Sequence, residues 1–236
     1  MASYHIDDVT LRDEPDDLEA AWAHVRSLEP GGEQVVWLRM LGELGRAEAM
    51  GWQLLAAAGG PGSLAEASRG VGLPVDALAP AMRLAHVLQW QERFHDADVL
   101  FSAVIASATQ IAAASAGSPE QRRATTMLAF ALQHLGKSRF DENRPVEALD
   151  LFEHAYALRQ RLGVPDDQLA SSRQAIAAAR ARRAASAGAG GAVELGRGER
   201  PDDSVLGHVA IQGDAEHASR GPAEDGAGDR DDQPEK

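Results

Sequence analysis

Cysteine is absent from this 236-residue chain. That rules out a disulfide framework, a thiolate metal site and a cysteine nucleophile. Aromatic residues make up only 5% of the chain, while Ala alone supplies 45 positions, a balance that with few β-branched runs favours packed helices. Lysine is nearly absent too, with 2 Lys against 21 Arg, the ratio a high-G+C bacterial genome gives. No apolar run reaches the roughly 18–20 residues that a membrane helix needs. The N-terminal MASYHIDDVTLRDE is acidic and lacks an apolar h-region, so no signal peptide is expected and the cytoplasm is the default location.

The standard catalytic signatures are missing as well. There is no HExxH, no GxxxxGK[ST] phosphate loop and no GxSxG elbow. Gly188-Ala189-Gly190 follows a helical stretch rather than a strand, so it is not a dinucleotide fingerprint. The eight His are spread along the chain. His95-Asp96-Ala97-Asp98 could be drawn as a metal site, but at a helix start the two Asp are better read as carboxylates facing the helix dipole. No pair of carboxylates falls on an apolar helical stripe, where a raised pKa would suggest acid–base work. No catalytic residue, cofactor or metal ligand is therefore expected.

The charge that is present sits at the ends. Residues 1–33 carry net −7, residues 186–236 net −7, and residues 34–185 only net +1, within a total of −13. A nearly neutral body has no wide basic face for phosphates, so nucleic acid is not an expected partner.

The most informative stretch runs from Ala124 to Asp166. Leu128, Ala131, Leu132 and Leu135 fall at i, i+3, i+4 and i+7, the apolar stripe of one helix. Asp141-Glu142-Asn143-Arg144-Pro145 breaks the pattern, with Pro145 suited to a new first turn and Asn143 or Arg144 at the cap. Ala148, Leu151, Phe152, Ala155, Leu158 and Leu162 form a second stripe, which Gly163 and Pro165 end. Two such helices on a short loop must fold back as an antiparallel hairpin to bury both stripes. Gly136, Ala148 and Ala155 are small where the backbones would cross, and Leu132, Leu135 and Phe152 are large beside them.

The order Leu132-x2-Leu135-Gly136 … Ala148-x3-Phe152-x2-Ala155 resembles the tetratricopeptide repeat. The aromatic after the Gly comes one position late, at Phe140, and the closing proline is also late, at Pro165, so the second helix is longer than in the minimal repeat. One hairpin cannot cover its own apolar face, so copies are required. Ala81 to Val104 supplies one, with Ala97 and Phe101 each 51 residues before Ala148 and Phe152. Val35 to Leu55 supplies a third, with its turn expected at Gly45-Arg46.

The remaining elements fall around these copies. Residues 1–14 read as a frayed or disordered acidic N-terminus, residues 15–185 as the repeat domain, and residues 186–236 as a disordered, acidic, Gly-rich tail. Asp13-Glu14-Pro15-Asp16-Asp17 starts a helix in which Trp22 is the expected core anchor. Gly59-Gly60-Pro61-Gly62 is the clearest break. Ser63 to Met82 has the outline of a helix-turn-helix, but its second helix carries Pro80 and Asp76 and no basic residue before Arg83, so an elbow between repeats is the better reading. Ser118 and Pro119 start the first helix of the last hairpin. A final helix from Asp166 to about Ala185, with a thin apolar stripe and several Arg, suits the end of a stack.

The expected fold class is thus all-α: a right-handed superhelical stack of antiparallel hairpins with a C-terminal capping helix and a disordered tail. In the family it resembles, the first helix of each pair lines a concave groove. That resemblance assigns Met82, His86, Gln89 and Trp90 to one groove face. It assigns Phe130, Gln133, Lys137, Phe140 and Asp141 to the other. Packing against a neighbouring repeat is the structural alternative for Phe130 and Trp90. The implied function is a non-catalytic scaffold or adaptor that binds a protein or peptide in the groove. The alternatives are a regulator whose repeats sense a ligand and whose 63–82 segment touches DNA, and a helical enzyme.

Overall fold

The structure, a computed structural model, describes residues 2–70 and 72–193. Among these, nine α-helices follow a two-stranded ribbon. The ribbon pairs β1 (Tyr4–Ile6) with β2 (Asp13–Pro15) antiparallel, in the register Tyr4↔Pro15, His5↔Glu14 and Ile6↔Asp13. Residues read from sequence as frayed are therefore paired. The physical reason is an Asp turn followed by a buried anchor. Asp7 accepts hydrogen bonds from the Val9 and Thr10 amides and the Thr10 hydroxyl. Leu11, in the left-handed region at φ 58°, is buried in one cluster with Phe140, Ala148 and Phe152.

Helix α1 (Leu18–Ser27) begins at Asp17, whose carboxylate accepts the Ala20 amide at 3.0 Å. Trp22 on this helix is only half-buried, and the buried tryptophan of this region is Trp37, packed edge-on against Tyr4 and His24. The helices that follow pair as hairpins: α2 (Gly32–Met40) with α3 (Leu44–Ala57), α5 (Leu78–Trp90) with α6 (Phe94–Ala114), and α7 (Pro119–Asp141) with α8 (Pro145–Leu162). α4 (Leu64–Ala67) is one short turn, and α9 (Asp166–Val193) closes the series. α3 packs on α5, α6 on α7 and α8 on α9, so each hairpin leans on the next.

The three hairpins share one turn. Gly42, Glu92 and Asn143 all sit in the left-handed region, at φ 77°, 60° and 59°. In each, the left-handed residue's amide bonds the carbonyl three residues back, Arg39, Gln89 or Phe140, and the next amide bonds Leu38, Leu88 or Arg139. That is the helix C-terminal motif that satisfies the last orphan carbonyls. Five residues after each left-handed residue stands a fully buried alanine, Ala47, Ala97 or Ala148. The turn of the first copy thus falls at Leu41-Gly42-Glu43, and Gly45 lies inside α3, which corrects the expected Gly45-Arg46 turn by three residues.

The small residues act as expected where helices cross. A Cβ on Gly136 would lie 2.5 Å from the Phe152 ring, and one on Gly51 would lie 3.0 Å from Leu84. The segment outlined as a helix-turn-helix consists of the short α4, a 3-10 turn at Val75–Ala77 and the start of α5. α5 is the first helix of the middle hairpin and buries Leu78, Ala81, Leu84, Ala85 and Leu88 in the largest core.

α6 is long and apolar enough to cross a membrane by length and composition, with a mean hydropathy of 1.5, a property that counting uninterrupted apolar residues misses. In this structure its Leu100, Phe101, Val104 and Ala108 are core residues between α5 and α7. α9 extends past the expected end near Ala185 to Val193; the rest of the expected tail lies outside the described residues.

Candidate functional site

The inward faces of α2, α5, α7 and α9 line an open cavity of about 980 Å³. On α5 the lining positions are Ala79, Met82, Arg83 and His86, spaced i, i+3, i+4 and i+7; on α7 they are Met127, Phe130, Gln133, His134 and Lys137, of which the last four are each 51 residues later. The same turn geometry at the end of each first helix fixes the rotation of that helix, so equivalent positions face the same space. Each pair differs in chemistry, as with Met82 and Gln133 or Arg83 and His134.

The mouth of this cavity is sealed at one side by the ribbon. Asp13 on β2 is 9% exposed and meets Arg39 at 2.7 Å and Lys137 at 3.3 Å. Burial alone would raise the Asp13 pKa, but the Lys137 and Arg39 charges overcome it and bring it down to about 2. Burial pushes Lys137 and Arg39 down while Asp13 pulls both the other way. Gln174 on α9 holds the ribbon from the far side, donating to the Ile6 carbonyl at 3.1 Å and to Asp8 at 2.7 Å.

Two histidines, from α5 and α7, meet beside this pair. The His86 and His134 ring centroids are 4.1 Å apart, and the Arg39 guanidinium donates to His86 Nε2 at 3.2 Å. Burial and the cations Arg39 and Lys137 hold both imidazoles well below the ordinary histidine pKa. Both rings are therefore neutral near pH 7, and His134 Nδ1 is a buried atom with no hydrogen-bond partner among the described residues.

The structure distributes the sequence-predicted groove residues unevenly. Met82, His86, Gln133 and Lys137 line the cavity. Gln89, Trp90 and Phe140 lie beyond it, under the ribbon, which corrects their placement in an open groove. Gln89 is buried and donates to Asp141 at 3.0 Å, which Arg12 also approaches at 3.6 Å. Arg12 and Arg39 lie over the Trp90 ring at 5.2 and 4.5 Å. Phe140 is fully buried in the cluster that holds Leu11, with the Arg182 guanidinium 3.7 Å over its ring. Leu11 and Arg12, from the stretch read as frayed, are what cover these three.

Sequence reasoning missed Asp13, Arg39, Arg83, His134 and Arg159. Arg83 and His134 were legible, since each lies three positions before a marked residue, His86 or Lys137, and directly after another, Met82 or Gln133. Asp13 and Arg39 carried no local signal, because their partner lies in another element. The Asp of the His95-Asp96-Ala97-Asp98 segment are taken up by arginines, Asp96 by Arg93 at 2.9 Å and Asp98 by both terminal nitrogens of Arg139 at 2.9 and 2.7 Å. Among the described residues no three His, Asp or Glu side chains converge as a metal site would need.

No protein-family model, curated protein or solved structure matches this chain.

Proposed function

We propose that the chain is a non-catalytic binding module of the tetratricopeptide type, taking a segment of a protein or peptide partner into the cavity between α2, α5, α7 and α9. The observation that carries this reading is the paired stripe on α5 and α7. Repeated positions present a varied set of polar, thioether and aromatic side chains to one space, instead of the Leu and Ala that fill the crossings between hairpins. Mixed walls of this kind supply a few anchors and a few directional polar contacts to a bound chain. The electrostatics also favour binding over proton transfer. Asp13 is spent in an ion pair with its pKa near 2, and both histidines are held neutral, so none of these groups is poised to exchange a proton near neutrality.

A photo-crosslinking residue tests this. Placed at Met82 on the cavity wall, it should capture a polypeptide in the native cell. Placed at Val146, which is 54% exposed on α8 and is not among the cavity-lining residues, it should not. Equal labelling at both sites, or no polypeptide adduct at Met82, would remove the cavity as the binding site.

A further inference from the structure

The cavity wall carries more positive charge than the protein itself neutralises. Its lining cations are Arg39, Arg83, Lys137 and Arg159, and its lining acids are Asp13 and Asp167. Asp13 is shared by Arg39 and Lys137. Asp167 is exposed in the first turn of α9, where it faces the positive end of the helix dipole. Arg83 and Arg159 have no carboxylate within ion-pair distance among the described residues.

Arg159 is the more unusual of the two. It stands on α8, the second helix of its hairpin, is 4% exposed, and reaches the cavity beside Phe130, whose ring lies 5.0 Å from its guanidinium carbon. Its Nη1 donates to the Gln168 carbonyl at 3.2 Å, to Ser171 at 3.4 Å and to Ser172 at 2.7 Å. Nε is buried with no partner, and Nη2 makes no hydrogen bond among the described residues. One terminal nitrogen is therefore clamped while the side-on edge of the guanidinium, Nε with Nη2, is unengaged. Burial holds its pKa down at about 10, with no acid pulling it back up. Buried charges in folded proteins are paired, and the side-on edge of a guanidinium matches a carboxylate with two parallel hydrogen bonds.

From this geometry we infer that the cavity holds a carboxylate-binding site centred on the Nε–Nη2 edge of Arg159, with Arg83 adding charge from the opposite helix α5. Arg159 positions the ligand's carboxylate beside Phe130, and the apolar part of the ligand lies along Met82, Met127 and Phe130. The inference rests on the cavity being a binding site, and it names the ligand as an acidic segment of the partner, an Asp or Glu side chain entering between α5 and α9. The ribbon supplies an internal precedent, since Asp13 is a carboxylate already taken by cations of the same wall.

The test uses the full chain and three probes: a fluorescein-labelled hexaglutamate peptide, free glutarate and inorganic phosphate. The readouts are fluorescence anisotropy for the peptide and the Arg159 Nε–H resonance for all three, assigned through its loss in Arg159→Lys. Hexaglutamate should move the Nε–H resonance in the unaltered chain. Its affinity should fall by at least about tenfold in Arg159→Met, and by a similar factor in Arg159→Lys, which keeps the charge but lacks the side-on edge. Arg83→Gln should weaken binding less. If Arg159→Met does not fold, the Lys variant and the resonance of the unaltered chain decide. A response to glutarate without one to the peptide upholds the carboxylate site and assigns it to a small organic acid, which refutes the peptide reading. Peptide binding that is unchanged in both Arg159 variants leaves the peptide reading standing and overturns the carboxylate site. A response to phosphate alone, or to none of the probes, overturns it as well.

Discussion

Replacing Asp13 by Asn removes the one negative charge that Arg39 and Lys137 share in the buried side of the cavity. Two routes bound the cost. The Asp13 pKa falls from 3.8 to about 2 on folding, and since a tenfold change in proton affinity is about 1.4 kcal/mol, the ionised carboxylate contributes roughly 2 kcal/mol to stability at neutral pH. Breaking a buried pair by removing one partner costs about 3–5 kcal/mol, because the other charge is left uncompensated. Arg39, almost fully buried, cannot lose its proton; Lys137 can, which relieves part of the penalty. The expected destabilisation is therefore about 2–4 kcal/mol, read as a shift of the urea midpoint at pH 7 with an unchanged m-value. The sign of the pH dependence follows from the depressed pKa. The contribution is fully present above pH 3.8 and is lost as pH falls through about 2, so the gap between the two proteins should narrow over that window. Asp13→Asn combined with Arg39→Met removes the orphaned cation and should recover part of the loss. A destabilisation below about 1 kcal/mol, or no recovery in the double variant, would show that this ion pair does not hold the ribbon in place.

Three further outcomes are expected. Because burial and nearby cations lower the His86 and His134 pKa, the unfolded chain binds more protons below its own histidine pKa near 6.5, and stability should fall there by up to about 1.4 kcal/mol per pH unit for each ring; His134→Gln should halve that slope in urea titrations across pH 5–7. Gly136→Ala places a Cβ against the Phe152 ring and should cost about 1–3 kcal/mol despite the better helix former, with Phe152→Leu restoring part of the melting temperature. Leu11→Ala empties a fully buried site beside Phe140 and should cost about 2–5 kcal/mol while raising hydrogen exchange at the paired Tyr4 and Ile6 backbone.

The sequence alone determined the elements whose causes are local. Ser118 as a cap, Pro119 and Pro145 in first turns and Gly163 in the left-handed C-cap each act within a few residues, and the structure has them all; the helix start read over Asp13–Asp17 instead divides, with Asp13–Pro15 in β2 and Asp17 as the cap of α1. The face that the resemblance assigned on α5 and α7 includes Met82, His86, Gln133 and Lys137, which line the cavity. Only the tertiary structure decided where that face ends. Gln89, Trp90 and Phe140 extend the same stripe, but a ribbon from the other end of the chain lies over them, and nothing in the spacing of a helix reports what covers it. The partners of the buried charges were hidden for the same reason. Asp13 and Lys137 are 124 residues apart, and Asp13 read alone is one more carboxylate at a helix start. Caps and stripes are set by neighbours three or four residues away. A buried ion pair is set by which surfaces meet once the hairpins have packed, and that information resides in the sum of the contacts and not in any single segment.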